Sequence, residues 1–325
     1  MTNHFRRSIF YCVRSLFALL ENGTEIMNFT AFILVFSSAL LHATWHFMVK
    51  KSKPVHALFI PISGANLIFT LFFALSADFH YADQPLKLYI YATCGGICGV
   101  ICNLGLSCAY RMSEVSLAYP LARALPVIFT MLVTGIFGIG KPLTLTGITA
   151  MVIIFAGCLI MPLDSFKSIK KSDYINRALP GILLAALGTT GYTVFDSLGV
   201  KLFLSSNPQI PKWHGSLAYS NIRETALFIV LVMTVMLIPQ EREKLQLKIF
   251  TSWHPYCAGV FAGAAYALIL IAMPLVTNVS FVQAFRQVSL PIGMLLGVIF
   301  LKEKCRMPKF VGITLIIAGL ILALI

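Results

Sequence analysis

The sequence predicts an all-α integral membrane protein: ten transmembrane helices, as two inverted five-helix repeats. Three observations predict it. The 325 residues are 58% hydrophobic and only 11% charged, against about 25% charged in an ordinary soluble domain. The apolar residues fall into ten runs of about 20, the length that carries a helix across a hydrocarbon core. Residues of the second half also repeat residues of the first at a near-constant offset. Several classes are excluded at once. A mean hydropathy of +0.86 excludes a disordered chain, which needs low hydrophobicity. Continuous apolar runs exclude a porin-type barrel, whose strands alternate. The net charge is +13, but no basic module on a polar fold accompanies it, so no nucleic-acid partner is expected.

Residues 1–28 form an N-terminal extension. An apolar segment at 8–20 follows Arg6 and Arg7 and is interrupted by Arg14. It reads as a signal peptide with a poor cleavage site at Glu21-Asn22-Gly23, as an interfacial extension, or as sequence ahead of a start at Met27. The first repeat, 29–163, carries spans at 29–49, 56–77, 88–110, 115–138 and 143–163. A polar linker, 164–177, follows. The second repeat, 178–325, carries spans at 178–200, 216–239, 255–276, 278–301 and 307–325. Connections are short, which suits antiparallel neighbours, and the longest are polar: 164–177, 201–215 and 240–254. No stretch is long enough for a soluble domain.

Val115-Ser116-Leu117 matches Val279-Ser280-Phe281, Pro126 matches Pro291, and Gly147-Ile148-Thr149 matches Gly312-Ile313-Thr314, at offsets of 164, 165 and 165. Ala156-Gly157 recurs as Ala318-Gly319. Five spans per repeat is an odd number, so the two halves are expected to insert in opposite orientations. Such repeats usually hold a substrate between them near the membrane midplane.

A charge at the bilayer centre costs about 2.5–3.5 kcal/mol on insertion scales, so each one asks for a reason. Arg123, Asp196, Arg223, Glu224 and Arg286 fall inside predicted spans. Arg223 and Glu224 lie about a third of the way into theirs and are expected to make interface or inter-helix pairs. Arg123 and Arg286 occupy opposite repeats, each with a proline nearby that opens the backbone ladder. Tyr119 shares the face of Arg123, and Gln283 that of Arg286. An arginine fork facing a cavity suits a carboxylate or phosphate; the competing reading is an internal salt bridge. Asp196 shares a face with Tyr192 and reads three ways: a proton carrier, a receptor for a substrate amine, or a structural partner of Arg123 or Arg286. Ser38, His42, Trp45 and His46 form one polar-aromatic stripe. Its ordinary role is to line a cavity, its sharper one stacking or proton relay. With no third ligand near His42 and His46, no metal is expected.

Cys94, Cys98 and Cys102 alternate with Gly95, Gly96 and Gly99, a pattern of close helix packing. Gly259/Gly263 and Gly293/Gly297 add two more such contacts. No disulfide framework, cofactor or catalytic motif is implied: His-Glu-x-x-His, His-x-x-x-x-Asp and the phosphate-binding Gly-x-x-x-x-Gly-Lys-Ser/Thr are all absent.

Four motifs carry a resemblance to a known family. They are Leu41-His42-Ala43-Thr44-Trp45-His46 with Lys50; Tyr119-Pro120-Leu121-Ala122-Arg123 with Pro126; Tyr192 to Lys201; and Ala284-Phe285-Arg286 with Phe300-Leu301-Lys302-Glu303-Lys304. Across 27–325 the chain resembles the EamA-type members of the drug/metabolite transporter superfamily. It departs at two places: one bacterial subset has Asn where His46 stands, and the first half has Gly138-Ile139-Gly140-Lys141-Pro142 with no counterpart of Glu303. The resemblance implies a secondary transporter in the inner or plasma membrane, often an exporter of amino acids or related metabolites, working by alternating access. A nucleotide-sugar or phosphate-bearing metabolite carrier is the alternative. A small-molecule substrate and the lipid bilayer are the expected partners, proton coupling through Asp196 is a secondary expectation, and there is room for a homodimer. Fifteen of the Lys and Arg residues flank the ends reached after odd-numbered spans and seven the other side. Positive-inside counting thus puts both termini outside, whereas the resemblance implies termini in the cytoplasm.

Overall fold

The computed structural model describes residues 27, 29–50, 56–112, 115–163, 165–168, 175–245, 247–292, 294 and 306–324; side chains at 43, 45–50, 56, 115–120, 168 and 247–248 lie outside that description. Among the described residues the chain is helical throughout. Its one β contact is an isolated bridge between Met27 and Val276.

The principal helices are α1 (Phe29–Lys50), α2 (Phe59–Ser76), α3 (Leu86–Met112), α4 (Val115–Phe137), α5 (Leu145–Ile160), α6 (Leu179–Ser206), α7 (Lys212–Leu237), α8 (Trp253–Ala272), α9 (Val279–Phe285) and α10 (Met307–Leu322). Among the described residues four segments are long and apolar enough to cross a membrane: Phe59–Ser76, Leu86–Met112, Lys212–Leu237 and Trp253–Leu275. Shorter apolar helices occupy Phe29–His42, Leu121–Phe137, Leu145–Ile160 and Met307–Leu322. The chain is therefore a multi-pass integral membrane protein. α6 runs 28 residues, but its Thr, Tyr and Asp residues lower its hydropathy.

Local chemistry sets the helix ends. The Thr144 hydroxyl accepts from the Gly147 amide at 3.0 Å and starts α5, and the Asn278 side chain accepts from Ser280 N at 2.9 Å and starts α9. Gly138 and Gly140 take φ of 62° and 85° in the turn between α4 and α5, where a residue with a Cβ is strained. The loop expected at 201–215 is largely helix: α6 continues to Ser206, and α7 begins at Lys212. Nothing at 201–206 breaks a helix; the first turn signal is Asn207-Pro208, and exposed Lys201 keeps its charge outward. The two prolines expected to open the ladder differ. α4 runs unbroken through Pro120 and Pro126. In the second half α9 gives way to a 3-10 turn at Arg286–Val288, just before Pro291, whose missing N–H and ring disfavour α geometry one turn earlier.

Three pairs of helices lie antiparallel. Along α3 and α6, Gly181 meets Ala109, Gly188 meets Cys102 and Gly191 meets Cys98. Along α4 and the segment formed by α9 and the turn after it, Arg123 reaches Ser289 while Thr134 reaches Ser280. Along α5 and α10, Gly157 and Gly312 lie backbone to backbone, and Gly319 packs against Ala150 and Ile154. α2 packs on α7 and α8, α3 on α7, and α1 on α8.

One face of the bundle is interlocked by its loops. Gln84 and Asn207 exchange side-chain amide bonds of 3.1 and 2.9 Å. Asn278 Nδ2 donates to the carbonyls of Ile139 (3.1 Å) and Lys141 (3.0 Å), and Lys141 N donates to Thr277 O at 2.9 Å. Replacing Asn278 with alanine removes a helix cap and two cross-loop bonds together. A loss of about 1–2 kcal/mol is expected, read as a lower midpoint of thermal unfolding of the detergent-solubilised protein; an unchanged midpoint would refute it.

Candidate functional site

The polar residues of the helix interiors converge on one cavity of about 150 Å³ at the centre of the bundle. α1 to α4 and α6 to α8 line it, together with the turn after α9. Ser38 and His42 come from α1, Ser63 and Asn66 from α2, Cys102 and Asn103 from α3, Arg123 from α4, Thr189 and Tyr192 from α6, Arg223 and Glu224 from α7, Tyr266 from α8, and Arg286 from the turn. α5 and α10 stay outside it and pair with each other. The lining residues run from the bundle's middle toward the ends of α3 and α7 at Met112 and Leu237, away from the interlocked loops.

An acidic pole lies on α6 and α7. Asp196 is fully buried, and Arg223 Nε stands 3.3 Å from Asp196 Oδ2. Tyr219 donates to Asp196 Oδ1 at 3.1 Å, and Tyr266 donates to Oδ2. On its other side the Arg223 guanidinium pairs with Glu224, and Asn66 bonds the Glu224 carboxylate from α2. The guanidinium also lies 4.8 Å from the Tyr266 ring and 5.5 Å from the Tyr192 ring, and these two rings meet edge to face. Two carboxylates thus share one arginine. Small residues make room for them: a Cβ at Gly95 would strike Asp196, and one at Gly199 would strike the Tyr219 ring.

A basic pole lies opposite. Arg286 Nη1 donates to Gln283 Oε1 at 3.2 Å, and Nη2 reaches Tyr192 Oη at 3.5 Å. Among the described residues no carboxylate stands within ion-pair distance of it. Arg123 does different work. Its Nη2 donates to the Arg286 carbonyl and to Ser289 Oγ, both at 2.7 Å, and Gln287 Nε2 returns a bond to the Arg123 carbonyl at 3.1 Å. Arg123 therefore fastens α4 to the opened turn that carries Arg286.

Of the residues the sequence singled out, His42, Arg123, Tyr192, Asp196 and Arg286 line the cavity, and Gln283 stands behind Arg286. The side chains of Trp45, His46 and Tyr119 lie outside the described residues. Asp196 pairs with Arg223, where the sequence had suggested Arg123 or Arg286. Arg223 and Glu224, read as interface or inter-helix pairs, line the cavity, where Arg223 pairs with Asp196 across to α6 and with Glu224 beside it. The reason is positional: α7 starts four residues before the expected 216, so its two charges sit near the helix middle. The polar run Tyr219-Ser220-Asn221 ahead of them was the signal. Among the described residues, no cluster of His, Cys, Asp and Glu suits a metal ion.

A family model described as "Sugar transport protein" matches residues 46–325. No curated protein matches the chain. Twenty-eight chains of solved structures do. One, described only as the crystal structure of a protein, is 16% identical with a TM-score of 0.60, over 90% of this chain and 96% of its own. At that identity the likeness concerns the fold.

Proposed function

The chain belongs to the sugar transport protein family, and on that premise we propose that it is a secondary transporter working by alternating access, with its substrate held in the central cavity between two inverted five-helix repeats. One observation carries the reading: the helix contacts are related by a shift of five. Moving each helix five places on, circularly, turns the α3–α6 contact into α8–α1 and the α2–α8 contact into α7–α3. The pairs α4–α9 and α5–α10 map onto themselves. That pattern suits ten spans in two oppositely inserted units, divided at 164–177. EamA-type membership is a narrower form of the same reading.

For the substrate we retain a small polar metabolite. The separated acidic and basic poles on either side of Tyr192 suit an amino acid, whose ammonium and carboxylate would meet them. The Tyr192–Tyr266 pair and the family description suit a sugar. The cavity lies on the Lys- and Arg-rich side, which positive-inside counting makes cytoplasmic; loading from there is what an exporter needs, and termini outside go with it. A proton on Asp196 would release Arg223 and so couple transport to pH.

Reconstitution tests the reading. Proteoliposomes should show saturable uptake and counterflow with at least one radiolabelled amino acid or hexose. Flux that never saturates would identify a channel, and no flux with any solute would overturn the reading. Asp196→Asn is expected to abolish the response to an imposed pH gradient while exchange persists; a response equal to that of the unaltered protein would remove the proton proposal.

A further inference from the structure

Two seams between antiparallel helices differ in kind. Between α5 and α10 the facing residues are apolar: Ala150, Ile154 and Gly157 meet Gly312, Ile316 and Gly319. Between α4 and α9, with the turn after it, buried polar side chains recur: Thr130 and Thr134 on one side, Ser280, Gln283 and Gln287 on the other. They make a ladder. Near the rim Thr134 and Ser280 bond at 2.8 Å. At the cavity end Gln287 donates to the Arg123 carbonyl at 3.1 Å. Between these rungs Thr130 shares the face of Thr134, and Gln283 that of Ser280.

Three atoms on this ladder are buried with no hydrogen-bond partner among the described residues: Thr130 Oγ1, Gln283 Nε2 and Gln287 Oε1. Polar residues that only fasten helices together are bonded to one another, as Thr134 and Ser280 are. An unpartnered buried group destabilises the closed bundle, and water entering the seam would satisfy it. The ladder also has an origin and an end. It starts at the cavity, which Arg123 and Arg286 line. It ends at the rim, where Asn278 bonds the carbonyls of Ile139 and Lys141. At helical rise, Asn278 and Arg286 stand about 12 Å apart.

Resting on the reading of this cavity as a transport site, we propose that the seam between α4 and α9 is the closed half of the solute's route, opening from the rim down to the cavity, with Thr130, Thr134, Ser280 and Gln283 as its walls. Lifting the Asn278 latch lets the seam part, and its polar groups then face water and the passing solute. Arg123, bonded to the Arg286 carbonyl and to Ser289, holds the cavity end as the hinge. The apolar α5–α10 seam stays shut.

The test uses the full-length protein in lipid nanodiscs and the charged thiol reagent 2-sulfonatoethyl methanethiosulfonate, with labelling read residue by residue by mass spectrometry. Thr130→Cys on α4 and Ser280→Cys on α9 should each be labelled, while the native Cys158, fully buried on α5, should not. Asn278→Ala, which removes two rim bonds, should speed labelling at both positions about 10-fold and leave Cys158 untouched. No labelling at either position, a rate indifferent to Asn278→Ala, or labelling of Cys158 in step would overturn the route. A second measurement needs no reagent. Thr130→Val removes an unpartnered hydroxyl at nearly constant shape and should raise the unfolding midpoint; an unchanged or lower midpoint would mean that the hydroxyl merely fastens the seam, and would overturn the proposal. Labelling requires no solute, so its absence strikes the route alone, whereas absent flux in the unaltered protein strikes the transport reading.

Discussion

Arg223→Met is expected to destabilise the protein by about 3–5 kcal/mol, the cost of removing one partner from a buried charge cluster. Asp196 and Glu224 would be left as two buried carboxylates with no cation between them, one held by tyrosine donors and the other by Asn66. The loss should appear as a sharply lower midpoint of thermal unfolding in detergent, with exchange activity gone. The triple change Arg223→Met, Asp196→Asn, Glu224→Gln discriminates. It removes all three charges, and its stability should recover much of the way, because replacing a whole ionic cluster is far less costly than breaking it. If the single variant were as stable as the unaltered protein, Arg223 would not hold the acidic pole together.

Gly188→Ala is expected to abolish folding, because a single methyl group there has nowhere to go. The added Cβ would lie 2.5 Å from the backbone nitrogen of Cys102 and 2.6 Å from the carbonyl oxygen of Cys98. Backbone atoms of a packed helix cannot rotate aside as a flexible side chain can, so α3 and α6 must separate along their seam. A control lies in the same bundle: a Cβ at Gly135 would meet nothing within 4 Å. Gly135→Ala should therefore give a normal, monodisperse peak in fluorescence-detected size exclusion, while Gly188→Ala should give little or none. Equal peaks would refute close packing at this seam.

The broad architecture was legible in the sequence because bilayer physics leaves few choices: an apolar run near 20 residues must be helical. Helix ends were harder, since they depend on caps and on where a long side chain can snorkel. α6 passed its expected end at Val200 because Lys201 tolerates the boundary. The site was legible one residue at a time. His42, Arg123, Tyr192, Asp196 and Arg286 each stood out as polar in an apolar run. Their pairings did not, since spacing along one helix says nothing about what a neighbouring helix presents. So Arg123 and Arg286, alike in sequence context, took up different tasks. Arg223 and Glu224 were read as interface or inter-helix pairs, and Arg223 does pair across to α6; their place in the cavity was missed because a helix start set at 216 put them nearer the helix end.

The interlocked loops set a division of labour for motion. Gln84 with Asn207, and Asn278 with Ile139 and Lys141, each tie a loop of the first half to a loop of the second. All are neutral amide bonds at the rim of the bundle. Once parted, water can take over each lost partner, so the net penalty is about 1 kcal/mol per bond. The charge cluster at the core has no such substitute. Under the alternating access proposed above, the rim is thus a latch lifted at little cost, whereas parting the core takes a proton on Asp196.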